Sequence, residues 1–263
     1  MYTKADLILN LKEMGIKPTD VLMVHSSMKS IGEVEGGADT VVDVFMEYLS
    51  DGLFMTPTHT WAQMNEEYSV FDPLNEPACV GIIPNIFRKR PGVLRSLHPT
   101  HSIAAYGKHA QEYIAGEEDA TTPCPKGGCW DRLKDVKAKI LLVGVTHARN
   151  TYIHSVDEVF DVQERLTLKP TLFHVVMPDG TKKEVYMYRH YNPVSAHISE
   201  NFDKLSDAFI ELGAAKNVKF GDAECILCEA DKIFDIYRKI IEIEPNCLIE
   251  RETIPEHWWN KMN

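Results

Sequence analysis

The run HARNTYIHSVDEVFD, residues 147–161, sets an imidazole and two carboxylates at helical spacing. His154 precedes Asp157 by three residues and Glu158 by four, so on a helix all three share one face. An imidazole takes up a proton near neutral pH, and a neighbouring carboxylate fixes its tautomer and strengthens it as a base. The chemistry this pattern fits is general-base catalysis, in which a nucleophile loses a proton as it attacks. The alternative is a helix carrying an exposed histidine among ordinary acids. Position favours the first reading, because the run directly follows KILLVGV (139–145), the clearest buried strand in the chain. Ligands gather at the carboxyl ends of strands in α/β sheets. Asn150 or Thr151 is the natural N-cap of the helix.

Two further segments carry donors. HSSMKS (25–30) closes the first strand, and Ser26 and Ser27, the serines that follow His25, can present hydroxyls and backbone N–H groups to an anion or a carbonyl. The same segment also reads as a plain polar turn. LRSLHPTHSIAAYG (94–107) opens too polar for a strand. In it Arg95 can grip a phosphate with two parallel hydrogen bonds, and Ser96 can add a hydroxyl. His98 and His101 flank Pro99 with no third ligand at recognisable spacing, so no metal is expected. Cys225 and Cys228 lie in a strand-like ECILCEA, where residues three apart face opposite sides, and they read as buried thiols. Neither a dinucleotide-binding glycine fingerprint nor a phosphate-loop signature occurs.

The elements that must position these groups alternate. Residues 4–15 read as a helix stopped at Gly15, DVLMVH (20–25) as a buried strand, 38–52 as a helix and LFMTPT (53–58) as the next strand. Strand, helix, strand with short links implies parallel pairing. Residues 59–80 form a long irregular loop of aromatics and acids. IPNIFRKRP is a short helix, IAAYG a strand, KHAQEYIAG a helix and GGCWDRLKD the start of another. Beyond the central strand the pattern turns to hairpins: TLFHVVMPDGTKKEVYMYRHY around the turn PDGT, then VKFGDAECILCEA. ENFDKLSDAFIELGAA and DKIFDIYRKIIEIEP are amphipathic helices. No linker divides the chain, so residues 1–263 are expected to form one α/β domain. Its core would be a mixed central sheet flanked by helices, with an antiparallel hairpin extension.

Composition narrows the partners. A formal net charge of −11 and the lack of a long basic run argue against nucleic acid and anionic membranes. The first residues hold no uncharged apolar stretch fit for a signal or a span, and six scattered cysteines do not form a secreted disulfide framework. A cytoplasmic protein is expected.

Taken together, VHSSMKSIGEVEGGADTVVD, GLFMTPTHT, FRKRPGVLRSLHPTHSIAAYG, KILLVGV and NTYIHSVDE stand in the order and spacing of the aminoglycoside 3-N-acetyltransferase family, also called antibiotic N-acetyltransferases, which this chain resembles from about residue 7 into its final third. The resemblance implies acetyl-CoA as donor, an aminoglycoside amino group as acceptor, and a fold distinct from the common acetyltransferase superfamily. It puts the catalytic histidine of NTxxH on His154. Its acidic partner falls on Asp157, an aspartate where glutamate is commoner, with Glu158 beside it. The coenzyme-contacting segments fall on HSSMK and RSLHPTHS, implying His25, Ser26, Ser27, Arg95, Ser96 and Ser102. Direct transfer in a ternary complex follows, with backbone N–H groups holding the oxyanion. Glu66, Glu67, Asp72 and Asp161 are the acids expected to meet a cationic acceptor.

Other readings remain open on the sequence. The acceptor could be an amine that is not an antibiotic. A serine of HSS could act as nucleophile with His154 as its base, giving an acyl hydrolase, although the GxSxG elbow is absent. A binding protein that holds coenzyme A without turnover is the third.

Overall fold

The computed structural model describes residues 1–195 and 197–260, so the last three residues of the expected 1–263 domain lie outside it. Thr3 opens α1 (Lys4–Glu13) with a capping box to Asp6, satisfying orphan N–H groups at the helix start. The chain then runs through β1 (Val21–Ser26), α2 (Gly37–Tyr48), β2 (Leu53–Pro57), β3 (Val70–Phe71), α3 (Ile82–Phe87), β4 (Leu94–Arg95), β5 (Ile103–Gly107), α4 (Ala110–Tyr113) and α5 (Arg132–Asp135). It continues as β6 (Lys139–Val143), α6 (Tyr152–Val159), β7 (Thr171–Val176), β8 (Lys182–Met187), α7 (Ser206–Glu211), β9 (Ala215–Phe220), β10 (Ala223–Glu229), α8 (Ala230–Ile243) and α9 (Cys247–Glu250).

Seven strands form the main sheet in the order β4-β5-β2-β1-β6-β10-β9. The central three, β2, β1 and β6, are parallel. The outer pairs run antiparallel. Strands buried on both faces need apolar side chains at every position, which is why VLMV and ILLV are unbroken runs. Leu22 and Val24 pack toward α1, α2 and α3, whereas Met23 packs with Trp130, Tyr152 and the residues of α8. Cys225 and Cys228 divide the same way, one to each core, as strand alternation requires.

The architecture is the expected one, a mixed central sheet flanked by helices with an antiparallel hairpin beside it. That hairpin is β7–β8, which forms a separate three-stranded sheet with β3 from the long loop. The hairpin β9–β10 completes the main sheet, with β10 on β6. One detail differs from the sequence reading. Leu94 and Arg95, expected to be too polar for a strand, pair with Ala105 and Ala104 as the edge strand β4. An edge tolerates polar side chains because one of its sides is unpaired.

Gly144 ends β6 at φ 62°, and a Cβ there would stand 2.2 Å from the Cβ of Ser30. Only glycine can make that turn, and it sends the chain across the sheet's carboxyl edge toward α6. No helix among the described residues is long and apolar enough to cross a membrane.

Candidate active site

A cavity of about 680 Å³ opens where the carboxyl ends of the three parallel strands meet. Its floor takes His25 and Ser26 from the end of β1, Pro57 from the end of β2, His59 two residues beyond it, and Thr151 and His154 from the segment after β6. The tail of β8 closes it with Arg189, His190 and Tyr191, and residues 197–200 form the far lip. Residues 165–167, just past α6, bond back to 189–191, which fixes that tail over α6.

His154 occupies an aromatic slot. The ring of His190 stacks on it at 3.8 Å between centroids and 16° between planes, and Phe202 meets it edge-on at 4.7 Å. Burial, then the neighbouring His190, His59 and Arg165, hold its pKa well below the usual histidine value. The ring is therefore neutral at physiological pH, the form that can accept a proton.

Neither acid bonds to it directly. Asp157 is fully buried, accepts a 2.6 Å hydrogen bond from the Tyr237 hydroxyl of α8, and lies 3.4 Å from the Arg165 guanidinium. Burial pushes its carboxyl up to about 6 against the opposing pull of Arg165. Glu158 instead accepts from the backbone N–H of Cys124 at 2.9 Å and from His190 Nε2 at 3.1 Å. A shared helical face, with three- and four-residue spacing, brought the carboxylates near the histidine without aiming them at it.

More histidines crowd the site than the motif suggested. The His59 ring lies 4.6 Å from that of His101, and its Nε2 pairs with Thr151 Oγ1 at 3.0 Å. Thr151 is the N-cap residue of α6, as expected, but its side chain makes no cap hydrogen bond and is given to His59 instead. Trp130, fully buried, donates to the His101 carbonyl at 3.0 Å and lies against both His25 and His59. Burial takes His25 down to about 3, and its buried Nε2 has no partner among the described residues. His98 Nδ1 accepts two backbone N–H groups, so its Nε2 carries the proton and donates to the Thr122 carbonyl. Cys124, Glu158 and His190 also bring ligand-type atoms within 4.8 Å of one another, but the Glu158 oxygen and His190 nitrogen are spent on each other. We assign that trio no ion.

A family model described as aminoglycoside 3-N-acetyltransferase matches residues 23–242, from within β1 to the last turn of α8, and so takes in the whole cavity floor. The chain belongs to the aminoglycoside 3-N-acetyltransferase family. Aminoglycoside N(3)-acetyltransferase III of Salmonella sp is 27% identical over 259 residues, covering 89% of each chain. Aminoglycoside N(3)-acetyltransferase IV of Salmonella sp is 31% identical over 156 residues, 58% of each chain. Among solved structures, a histidine-to-alanine variant of AAC(3)-IVa in complex with a gentamicin overlays with a TM-score of 0.81 at 23% identity, covering 95% of this chain and 92% of that one. AAC-IIIb with CoASH overlays at 0.80 and 20% identity, covering 92% and 97%. These overlays give the fold, and membership gives the enzyme class, an acyltransferase.

Within this family member the expected site residues part company. His25, Ser26 and His154 line the cavity. Ser27 lies off the wall: its N–H continues the β1–β6 ladder and its hydroxyl pairs with Ser30. Arg95 turns inward instead of toward a phosphate. Its guanidinium donates to the Thr58 and Ser102 hydroxyls and to the carbonyls of Thr58, Pro73 and Glu76, and it lies over Phe71. Ser96 accepts from the Ile103 N–H, and Ser102 donates to the Thr58 carbonyl, both buried. The polar stretch therefore bolts the long loop to β2 and β5. Buried donors need partners, and here the chain itself supplies them.

The expected acceptor acids also lie elsewhere. Glu66 and Glu67 are exposed on the long loop and outside the cavity wall. Asp72 caps a turn at Leu74 and Asn75. Asp161 sits exposed at φ 49° beyond α6. Sequence reasoning missed Arg149, Arg189 and Glu200 on the wall. Glu200 is the one carboxylate lining the cavity among the described residues. No motif signals these three, although Arg149 stands inside the run already singled out for His154.

Proposed function

We propose that the protein transfers the acetyl group of acetyl-CoA to an amino group of an aminoglycoside, in one step, with His154 as general base. The observation that carries the reading is a neutral, buried imidazole facing a cavity at the carboxyl ends of the parallel strands, in a member of this family. Acetyl-CoA is the co-substrate, and a cytoplasmic location, where that donor is made, belongs to the same reading. Residues 1–263 are taken as one domain.

The residues present fit such a donor. The cavity matches the size of small-ligand clefts, the exposed Arg149 on its wall is a guanidinium that can bind phosphates, and four histidines from the strand ends and α6 line it. The acceptor arrives as an ammonium, which has no lone pair to attack a thioester. It must shed two protons to become an amide. One goes to solvent; His154 takes the other as the N–C bond forms and passes it to the departing thiolate as the C–S bond breaks. In this reading the thioester carbonyl is held by His25, Ser26 and the backbone at the end of β1, which line the cavity.

The serine-hydrolase reading has less support. Among the described residues no serine hydroxyl bonds a cavity histidine; the hydroxyls that do are those of Thr151, on His59, and Thr100, on His101. Free-thiol release from acetyl-CoA, measured over a panel of aminoglycosides, tests the proposal. His154→Ala is expected to cut kcat by roughly 10²- to 10⁴-fold while acetyl-CoA binding survives. Undiminished release in that variant removes the base assignment. An acetylated protein after mixing with donor alone would favour the hydrolase.

A further inference from the structure

His154 meets no carboxylate directly, yet one lies a single ring away. Glu158 Oε1 accepts from His190 Nε2 at 3.1 Å, and a carboxylate can only accept, so that nitrogen carries the proton. The face of the His190 ring lies flat on His154 at 3.8 Å. The arrangement is held from three sides. The Cys124 N–H pins Glu158, residue 166 bridges to His190, and the His101 ring abuts His190 edge-on at 5.0 Å. Glu158 and His190 have side chains only 5% and 16% exposed, so water screens the pair little.

We propose that His190 is a positioning residue for the transfer: held by Glu158, it stacks on His154, sets the plane of that ring and relays the carboxylate's charge to it. The inference rests on His154 being the base. When that ring takes the acceptor's proton, it becomes a cation lying on a π face. A ring that donates its N–H to a carboxylate is electron-enriched, and such a face stabilises a stacked cation. The groups facing His154 from the packed elements are His59, His101, Arg165 and Phe202 besides His190, with Asp157 committed to Tyr237. Of the acids near the slot, Glu158 is thus the one whose charge is directed at the stack. The role that the family resemblance puts on the acid three residues on passes to the acid four residues on, through a ring contributed by another segment.

The test compares kcat and KM for thiol release, over pH, in His190→Phe, Glu158→Gln, the double variant and His154→Ala. Phenylalanine preserves the stack but cannot hold the carboxylate, and glutamine can still accept from the Cys124 N–H. Both single variants should lose about tenfold in kcat with little change in KM, and the acid limb of kcat should move toward lower pH by about one unit. The sign follows because Glu158→Gln removes the negative charge and His190→Phe removes the ring that passes it to His154, and either change disfavours the imidazolium. The double variant should lose no more than either single one, as members of one relay do. A His190→Phe enzyme with wild-type kcat and an unmoved acid limb overturns the relay. If His154→Ala retains activity, it is instead the base assignment that falls, and the two failures are told apart by that variant.

Discussion

Tyr237 of α8 donates a 2.6 Å hydrogen bond to Asp157 of α6 across 80 residues of sequence, inside the core and away from the cavity wall. With Arg165 on its other oxygen, Asp157 works as an anchor between helices. Removing one member of a buried ionic cluster costs about 3–5 kcal/mol, because the other is left uncompensated. Asp157→Ala should therefore lose roughly that much unfolding free energy, read from urea titration. Tyr237→Phe should lose nearer ~1 kcal/mol, one hydrogen bond's worth. Turnover per folded molecule should fall far less than in His154→Ala. A stable but inactive Asp157→Ala would return the acid to the chemistry.

Arg95 offers the same contrast between binding and building. Its five contacts join the long loop to β2 and Ser102, and burial holds its pKa down to about 9, so truncation strands several buried carbonyls and hydroxyls. Arg95→Ala should destabilise by about 3 kcal/mol or more. The fraction that remains folded should keep its affinity for acetyl-CoA, measured by calorimetry at low temperature. A fully stable variant with weakened coenzyme binding would restore Arg95 as a phosphate ligand.

Glu200 is exposed at the lip and faces the same cavity as His154. A cationic acceptor gains from that charge, and an exposed contact is worth about 0.2–1 kcal/mol. Glu200→Gln should raise the acceptor KM severalfold at low salt and leave the acetyl-CoA KM unchanged. Added salt should narrow the difference, because it screens exposed charge. Equal effects on both substrates would place the acceptor elsewhere.

Acid should weaken the fold early. Burial holds His25 down to about 3 and His147 to about 4, against 6.5 when exposed. Burial lowers His59, His98, His101 and His154 as well. Groups depressed in this way give stability that is complete above 6.5 and lost as pH falls toward the folded value, at about 1.4 kcal/mol per pH unit for each. Asp157, raised to about 6, runs the other way: its contribution is full below the usual carboxylate value and fades as pH rises through 6. Six histidines outweigh one carboxylate. Urea midpoints at pH 7.5, 6 and 5 should fall steeply, and a flat series would contradict the buried neutral rings.

Much of this was legible in the residues alone. VLMV and ILLV announce central strands because both faces must be apolar, and the spacing of α6 announces a helix beginning beside the sheet's carboxyl edge. Several separated motifs agreeing in order pointed to the family, and the chain determined that much before any coordinate. What it could not disclose was direction. Arg95 has the chemistry of a phosphate ligand, but its side chain turns inward because carbonyls 19, 22 and 37 residues away in sequence converge on it. His190, His59 and Glu200 join the site from elements with no sequence proximity to His154. Helical spacing decides which residues share a face; only the packing of distant segments decides which atoms meet, and hydrogen bonds and stacking are set by atoms.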